Sequence, residues 1–189
     1  MDPDDLYIGP TVLAPGVDDR GDRLARKVLI PLALVLLLIV GTFYVFFSVI
    51  VVAGDSMVPT LLPADVLLVT RSYATPRRGD VVVFRTMDGT EMQQDLIKRV
   101  AAVEGDTVSV DNGIATINGV VEDVTNRTVS AQDGTVVDET VVPAGFVFVL
   151  GDNRPIALDS RDFGSIPLTA IRGKAVIRFA PIQRASRVR

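Results

Sequence analysis

Hydrophobic and polar positions divide this chain into three unequal stretches. From Val28 to Ala53 no side chain is charged, and the run reads VLIPLALVLLLIVGTFYVFFSVIVVA. As an α-helix rising about 1.5 Å per residue it would reach roughly 39 Å. That crosses a hydrocarbon layer about 30 Å thick with some tilt. Pro31 falls in the first turn, where a missing N–H costs least. A transmembrane helix over residues 28–53 is therefore expected, ahead of the buried helix of a soluble protein. The run exceeds the roughly 7–15 apolar residues of a secretory signal core. Val51-x-Ala53 nevertheless has the form of a cleavage site, which keeps removal of the segment open as the alternative.

After Ala53 the pattern changes. Apolar runs become short and rich in Val, Ile and Phe: Val66–Val69, Val81–Phe84, Ile97–Val103, Phe146–Leu150 and Ala175–Phe179. Gly, Pro, Asn and Asp separate them, the strand-and-turn rhythm of a β domain. Asp111-Asn112-Gly113 and Asn118-Gly119 predict a meander of tight hairpins between Val108 and Val121. Thr75-Pro76-Arg77-Arg78-Gly79 predicts a turn before a strand near Asp80. Leu168 to Arg172 is expected as a short helical turn before the last strand. Glu122 to Glu139 is polar and weakly patterned, and a surface hairpin or loop is expected there. There is no internal repeat and no low-complexity tract.

Charge orients the chain. Arg20, Arg23, Arg26 and Lys27 precede the apolar run, whereas the first charge after it is Asp55. Counting Lys and Arg, this puts the N-terminus in the cytoplasm and everything after Ala53 outside. Residues 1–27, rich in Pro and Gly near their start, are expected as a flexible cytoplasmic tail. Residues 54–189 are expected as an extracytoplasmic, β-rich domain. The basic end, Arg184, Arg187 and Arg189, reads as a solvated terminus, with contact to anionic headgroups as the other reading. Asn126-Arg127-Thr128 matches a glycosylation triplet common by chance.

Composition then removes whole classes of chemistry. The 189 residues carry a formal net charge of −4 and contain no His, Cys or Trp. Imidazole-based triads, thiolate nucleophiles, disulfides and Cys/His zinc sites are all excluded. The acidic balance argues against nucleic-acid binding. The aspartates show no Ca²⁺-loop spacing, so no metal is expected. The apolar run holds no ionisable side chain except Tyr44, which opposes a transporter role.

Three clusters could carry chemistry. In Gly54-Asp55-Ser56-Met57-Val58-Pro59-Thr60, a serine lies just beyond the apolar run in a Gly-containing turn. A loop serine is ordinarily structural, but a serine nucleophile without histidine needs another base, and a lysine amine can serve. In Asp95-Leu96-Ile97-Lys98-Arg99-Val100, Lys98 sits among residues patterned for burial. It either snorkels to water or is a desolvated amine with a lowered pKa. In Gly151-Asp152-Asn153-Arg154 and Asp159-Ser160-Arg161-Asp162-Phe163-Gly164, acids and arginines alternate closely enough for an ion-pair lattice that fixes a loop. The chain has only three lysines, Lys27, Lys98 and Lys174, so each can be weighed individually.

Together, behind an N-terminal anchor, these clusters resemble type I signal peptidase, the membrane-bound Ser/Lys protease. The resemblance rests on Ser-Met-x-Pro-Thr-Leu (Ser56 to Leu61), Ile-Lys-Arg-Val (Ile97 to Val100) with Gly105-Asp106, and Gly-Asp-Asn-Arg…Asp-Ser-Arg-x-Phe-Gly. It runs from the apolar span to about Pro181. The single anchor looks like the Gram-positive form, and abundant Arg and Asp hint at a high-GC actinobacterium.

The resemblance implies a mostly β fold, an antiparallel-sheet Ser/Lys peptidase domain behind one transmembrane α-helix. It implies removal of signal peptides from exported preproteins after Ala-x-Ala sites, through an acyl-enzyme. Ser56 would be the nucleophile and Lys98 the base. The Ser56 N–H and the Gly54 position would serve the oxyanion, with Asp152, Asp159 and Arg161 bracing the site. Met57, Leu61, Leu96 and Ile97 would wall the substrate pocket. No cofactor is implied. Signal peptides, membrane lipid and proximity to the secretion translocon are. One departure stands out: Ile156-Ala157 occupy the place where relatives commonly carry Asn-Ser, and the missing hydroxyl at Ala157 touches the lysine's surroundings. A non-catalytic pilus-assembly or binding module of the same family is the alternative, and it would be expected to have lost the serine or the lysine. A self-cleaving Ser/Lys repressor is opposed by the apolar span.

Overall fold

A computed structural model describes residues 19–73, 75–86, 94–130 and 134–188. The chain divides into two units, Met1–Phe43 and Tyr44–Arg189. In the first, the helix α1 (Asp19–Phe46, which runs three residues into the second unit) starts nine residues before the expected Val28, carries charges as far as Lys27, is apolar from Val28 on, and is exposed from Ala25 to its end. Its Ala25–Phe46 portion, with a mean hydropathy of 2.7, is long and apolar enough to cross a membrane. Pro31 is accommodated within it.

The helix does not run to Ala53 as expected. It ends at Phe46, and Phe47–Val51 form the strand β1. β-Branched and aromatic residues dominate this stretch and favour extended backbone. Pairing settles the matter, because β1 lies antiparallel to Val66–Thr70, with Phe47 opposite Thr70 and Val51 opposite Val66. Charge-free composition could not separate the last part of a helix from the first strand of a sheet.

Among its described residues the second unit holds twelve strands. They are β1, β2 (Val66–Thr70), β3 (Val81–Thr86), β4 (Gln94–Val103), β5 (Thr107–Asp111), β6 (Ile114–Ile117), β7 (Val120–Val121), β8 (Val136–Val141), β9 (Phe146–Leu150), β10 (Ile166–Pro167), β11 (Ile171–Ala180) and β12 (Ser186–Arg187). A single-turn helix, α2 (Ser160–Phe163), precedes β10. The larger sheet runs β1-β2-β11-β3-β4-β9-β10, with β12 on β11, and the smaller runs β7-β6-β5-β8. All named pairings are antiparallel. The meander is as expected: Asn112-Gly113 and Asn118-Gly119 all have positive φ, between 49° and 76°, as two-residue hairpins require. The helical turn before the last strand is present at Leu168–Ala170.

Burial on both faces of the larger sheet explains its near-continuous apolar strands. Along β3, Val81 and Val83 join a cluster with Met57, Leu61, Leu67 and Val69. Val82 and Phe84 face the opposite way, against Val100, Val149 and Ile166. A third cluster, including Ala102, Val108, Val110, Phe148 and Leu150, ties the smaller sheet to β4 and β9. Phe84 is fully buried and meets Phe163 of α2 edge-on at 6.1 Å between ring centroids. It thereby anchors the segment that follows β9. Phe84→Ala should cost about 3–5 kcal/mol. Urea unfolding of the full chain in detergent micelles checks this, and a change below about 1 kcal/mol would contradict the anchoring role.

Candidate active site

Three segments converge beyond the end of β9. Residues 54–61 form a compact turn, closed by Val58 N–H to the Asp55 carbonyl and Leu61 N–H to the Met57 carbonyl. Met57 and Leu61, each 1% exposed, pin it into the core. Asn153 holds it from the other side: its backbone N–H donates to the Ser56 carbonyl at 3.0 Å, and its side-chain amide donates to the Asp55 carbonyl at 3.1 Å. Ser56 is thus fixed at both neighbouring peptide groups.

Lys98 comes from β4, opposite Val82 of β3. The residue is 2% exposed. Its Nζ lies 2.7 Å from Ser56 Oγ and donates to its neighbour's carbonyl, Ile97 O, at 3.1 Å. Burial, which penalises the ammonium form, dominates and pushes the amine down to about 8; the carboxylates of Asp159 and Asp152 act the other way. The folded pKa lies below that of a free lysine, so the charged form opposes folding. The cost is fully present below pH 8, fades between pH 8 and 10.5, and amounts to about 3 kcal/mol at 1.36 kcal/mol per unit.

The residues after β9 frame this pair. Asp159 is wholly buried and caps α2 in a reciprocal capping box with Asp162. One of its oxygens accepts the Gly151 N–H at 2.9 Å, and the other accepts Arg161 Nε at 2.9 Å. Arg161 also donates to the carbonyls of Arg154 and Ala157. Asp152, equally buried, is gripped by both Nε and Nη2 of Arg99, at 2.9 and 2.7 Å. Gly151 sits where a methyl group would overlap the Ala157 Cβ and stand 2.7 Å from the Ser56 carbonyl oxygen. Only glycine leaves room for three segments to meet.

The expected residues fall into distinct places. Ser56 and Lys98 are brought together, and Asp152, Asp159 and Arg161 form the expected lattice around them. Gly54 is exposed, with open space where a side chain would be. Met57 and Leu61 are core residues enclosed with Leu67, Val69 and Val83 rather than walls open to a ligand. Ile97 packs partly buried against that same cluster, whereas Leu96 packs against the cluster of Val82 and Phe84 on the other face. Lys174 is engaged elsewhere, paired with Asp80, which also accepts from Tyr73 and whose carboxyl is held below its usual range by those bonds despite partial burial.

Glu122 to Glu139 is only partly the surface loop expected. Glu122 forms a two-point ion pair with buried Arg154, and Thr128 bridges to Asp152 and Arg154 through backbone bonds. Arg99 entered the sequence reading only as a member of the Lys98 motif, and Arg127 and Glu122 were given no role there, because isolated charges in polar stretches carry no signal of a distant partner. Among the described residues, no group of three or more acids is placed to hold a metal ion.

Two predictions follow from this geometry. Gly151→Ala should lower the melting temperature of the full chain by several degrees, at an overpacking cost of about 1–3 kcal/mol. Adding Ala157→Gly should restore part of the loss; no restoration would mean the two Cβ positions do not compete. Lys98→Met should gain stability over wild type at pH 7 relative to pH 10.5, read by urea unfolding at both pH values. An equal difference at both would contradict a depressed amine.

The signal peptidase (peptidase S26) family matches residues 25–180. A signal peptidase I of Leptolyngbya laminosa is 35% identical over 141 residues, covering 70% of this chain and 68% of that one. A signal peptidase I of Bacillus caldolyticus is 36% identical over 162 residues, covering 77% and 87%. The crystal structure of a signal peptidase I from Enterococcus faecalis is 30% identical, covering 56% of this chain and all of that one with a TM-score of 0.44. The apolar α1 and the Leptolyngbya and Bacillus relatives point alike to a membrane-anchored protein. With most of its length matched, the chain belongs to the signal peptidase family of peptidases, S26.

Proposed function

We propose that this protein removes signal peptides from exported preproteins, cutting after small-x-small sites of the Ala-x-Ala kind. The observation that carries this reading is the 2.7 Å contact between Ser56 Oγ and a buried Lys98 amine. With a pKa of about 8, about a quarter of the amine is neutral at pH 7.5, against about a thousandth at an ordinary lysine pKa. Neutral Lys98 then accepts the hydroxyl hydrogen, reversing the direction of the bond.

Ser56 Oγ attacks the scissile carbonyl carbon while its proton passes to Lys98 Nζ. The tetrahedral oxyanion is met by the Ser56 N–H and a donor near Gly54. Collapse breaks the C–N bond, Lys98 returns the proton to the leaving amine, and an ester to Ser56 remains. Water, deprotonated by the same lysine, hydrolyses that ester and regenerates both side chains. Asp159 and Asp152 keep the transient ammonium from being wholly unpaired, and Arg161 and Arg99 hold those carboxylates in place.

The sheet provides a place for an extended peptide. Residues 94–98 of β4 pair with β3 on one side, whereas β9 pairs on the other only from Arg99 onward. The free edge leads to Lys98, and a substrate strand added there would present its carbonyl to Ser56. Half-buried Leu96 and Ile97 lie along this edge. In this reading α1 spans the plasma membrane with the N-terminus cytoplasmic, and residues 54–189 act outside it, near the translocon and the lipid in which signal peptides lie.

The test is cleavage of a preprotein bearing an Ala-x-Ala site by the full chain in micelles. Ser56→Ala and Lys98→Met should each lower the rate at least about 10³-fold. Full activity in Lys98→Met would remove the base assignment. Ala157→Ser should displace the acidic limb of the pH–rate profile or change its height, because it puts a hydroxyl into the lysine's surroundings; a profile identical to wild type would show that the hydroxyl is immaterial.

A further inference from the structure

On the face of the larger sheet that carries Arg99, two adjoining cavities of about 290 and 450 Å³ share Gly79, Arg99 and Arg127 as lining. The larger is completed by Pro59, Thr60 and Asn126, so it lies between the end of the Ser56 turn and the strap that follows β7. Four arginines surround the pair of cavities, and three of them hold a carboxylate through hydrogen bonds. Arg78 is paired with Asp106. Arg154 takes both oxygens of Glu122. Arg99 takes both oxygens of Asp152 and also donates to the Gly79 carbonyl.

Arg127 is the least well matched of the four. It must share Asp152 with Arg99, and its Nε stands 2.9 Å from an Asp152 oxygen without the alignment of a hydrogen bond. Its Nη1 donates to the carbonyl of Asn126, and its side chain is only 15% exposed. Asp123, which with Glu122 lines the smaller cavity, accepts from the N–H and hydroxyl of Thr125 and acts on Arg127 only through its charge. Burial and the neighbouring guanidinium groups of Arg99 and Arg154 hold Arg127 below the usual arginine range despite Asp152 and Glu122. A largely buried guanidinium thus stands at the junction of two cavities with donors to spare and an Nε that no acceptor meets in hydrogen-bond geometry.

We propose that this groove is a binding site for a phosphate-type oxyanion, with Arg127 as the principal donor and Arg99 as the second. The occupant is either free phosphate or the headgroup phosphate of a phospholipid in the membrane that anchors the chain. A bound oxyanion would supply the acceptor that Arg127 Nε lacks and bridge the strap to the turn that carries Ser56. The site is separate from the peptidase reading and stands or falls without it.

The experiment is calorimetric titration of the full chain with inorganic phosphate in dodecyl maltoside micelles, against chloride at equal ionic strength. Saturable binding is expected, weakened at least about tenfold by Arg127→Gln, which removes the charge-assisted bonds. If Arg127→Gln does not fold, Arg127→Lys should weaken binding several-fold, because it keeps the charge but loses the planar fork. Absence of binding, or equal affinity in a folded Arg127 variant, overturns the proposal. Repeating the titration in phosphatidylglycerol bilayers assigns the source. Loss of phosphate binding there identifies the lipid headgroup as the occupant, and retention identifies free phosphate.

Discussion

The site depends on keeping one amine dry. Lys98 is an ordinary residue in an ordinary strand until the Ser56 turn and the residues after β9 gather around it and leave it 2% exposed. The desolvation that lowers its pKa also destabilises the fold, and the rest of the local structure limits that cost. Asp159 and Asp152 pull the pKa back upward, which holds it near 8 rather than lower still. Each carboxylate is itself buried and needs a partner, which explains Arg161 and Arg99. The polar lattice after β9 is thus a chain of compensations that begins with one lysine.

The same lattice sets position. The Ser56 turn is not bonded into the sheet by its own strand; it is held by its apolar feet, Met57 and Leu61, and by Asn153. Asn153 follows Asp152, and Gly151 precedes it, so one short segment fixes the Ser56 peptide, anchors Arg99 and leaves room for Ala157. Ala157 brings no hydroxyl to this arrangement, and Lys98 finds its second acceptor in the carbonyl of Ile97 on its own strand.

Much of this was legible in the sequence for identifiable reasons. Short apolar runs marked β2, β3, β9 and β11, and Asn-Gly pairs marked the hairpins, because period and turn chemistry are local. Ser56 and Lys98 were legible through the family motifs that hold them; the absence of histidine and the scarcity of lysine narrowed the candidates but did not separate a nucleophile from a structural loop serine. The end of α1 was not, since Phe47 to Val51 is equally apolar as helix or strand and only pairing with β2 decides. The burial of Met57 and Leu61 was not, because a motif position does not say which way a side chain faces. The roles of Arg127 and Glu122 were invisible, since their partners lie 25 or more residues away in sequence.

With only three lysines in the chain, the central claim can be tested on a single atom. The measurement is an NMR titration of the full chain in micelles with ¹⁵N-labelled lysine, the Lys98 Nζ signal being the one missing from Lys98→Met. A midpoint close to pH 8 is predicted. A midpoint near 10.5 would show an amine still in contact with water, and the dry Ser56–Lys98 pair on which this account rests would be contradicted.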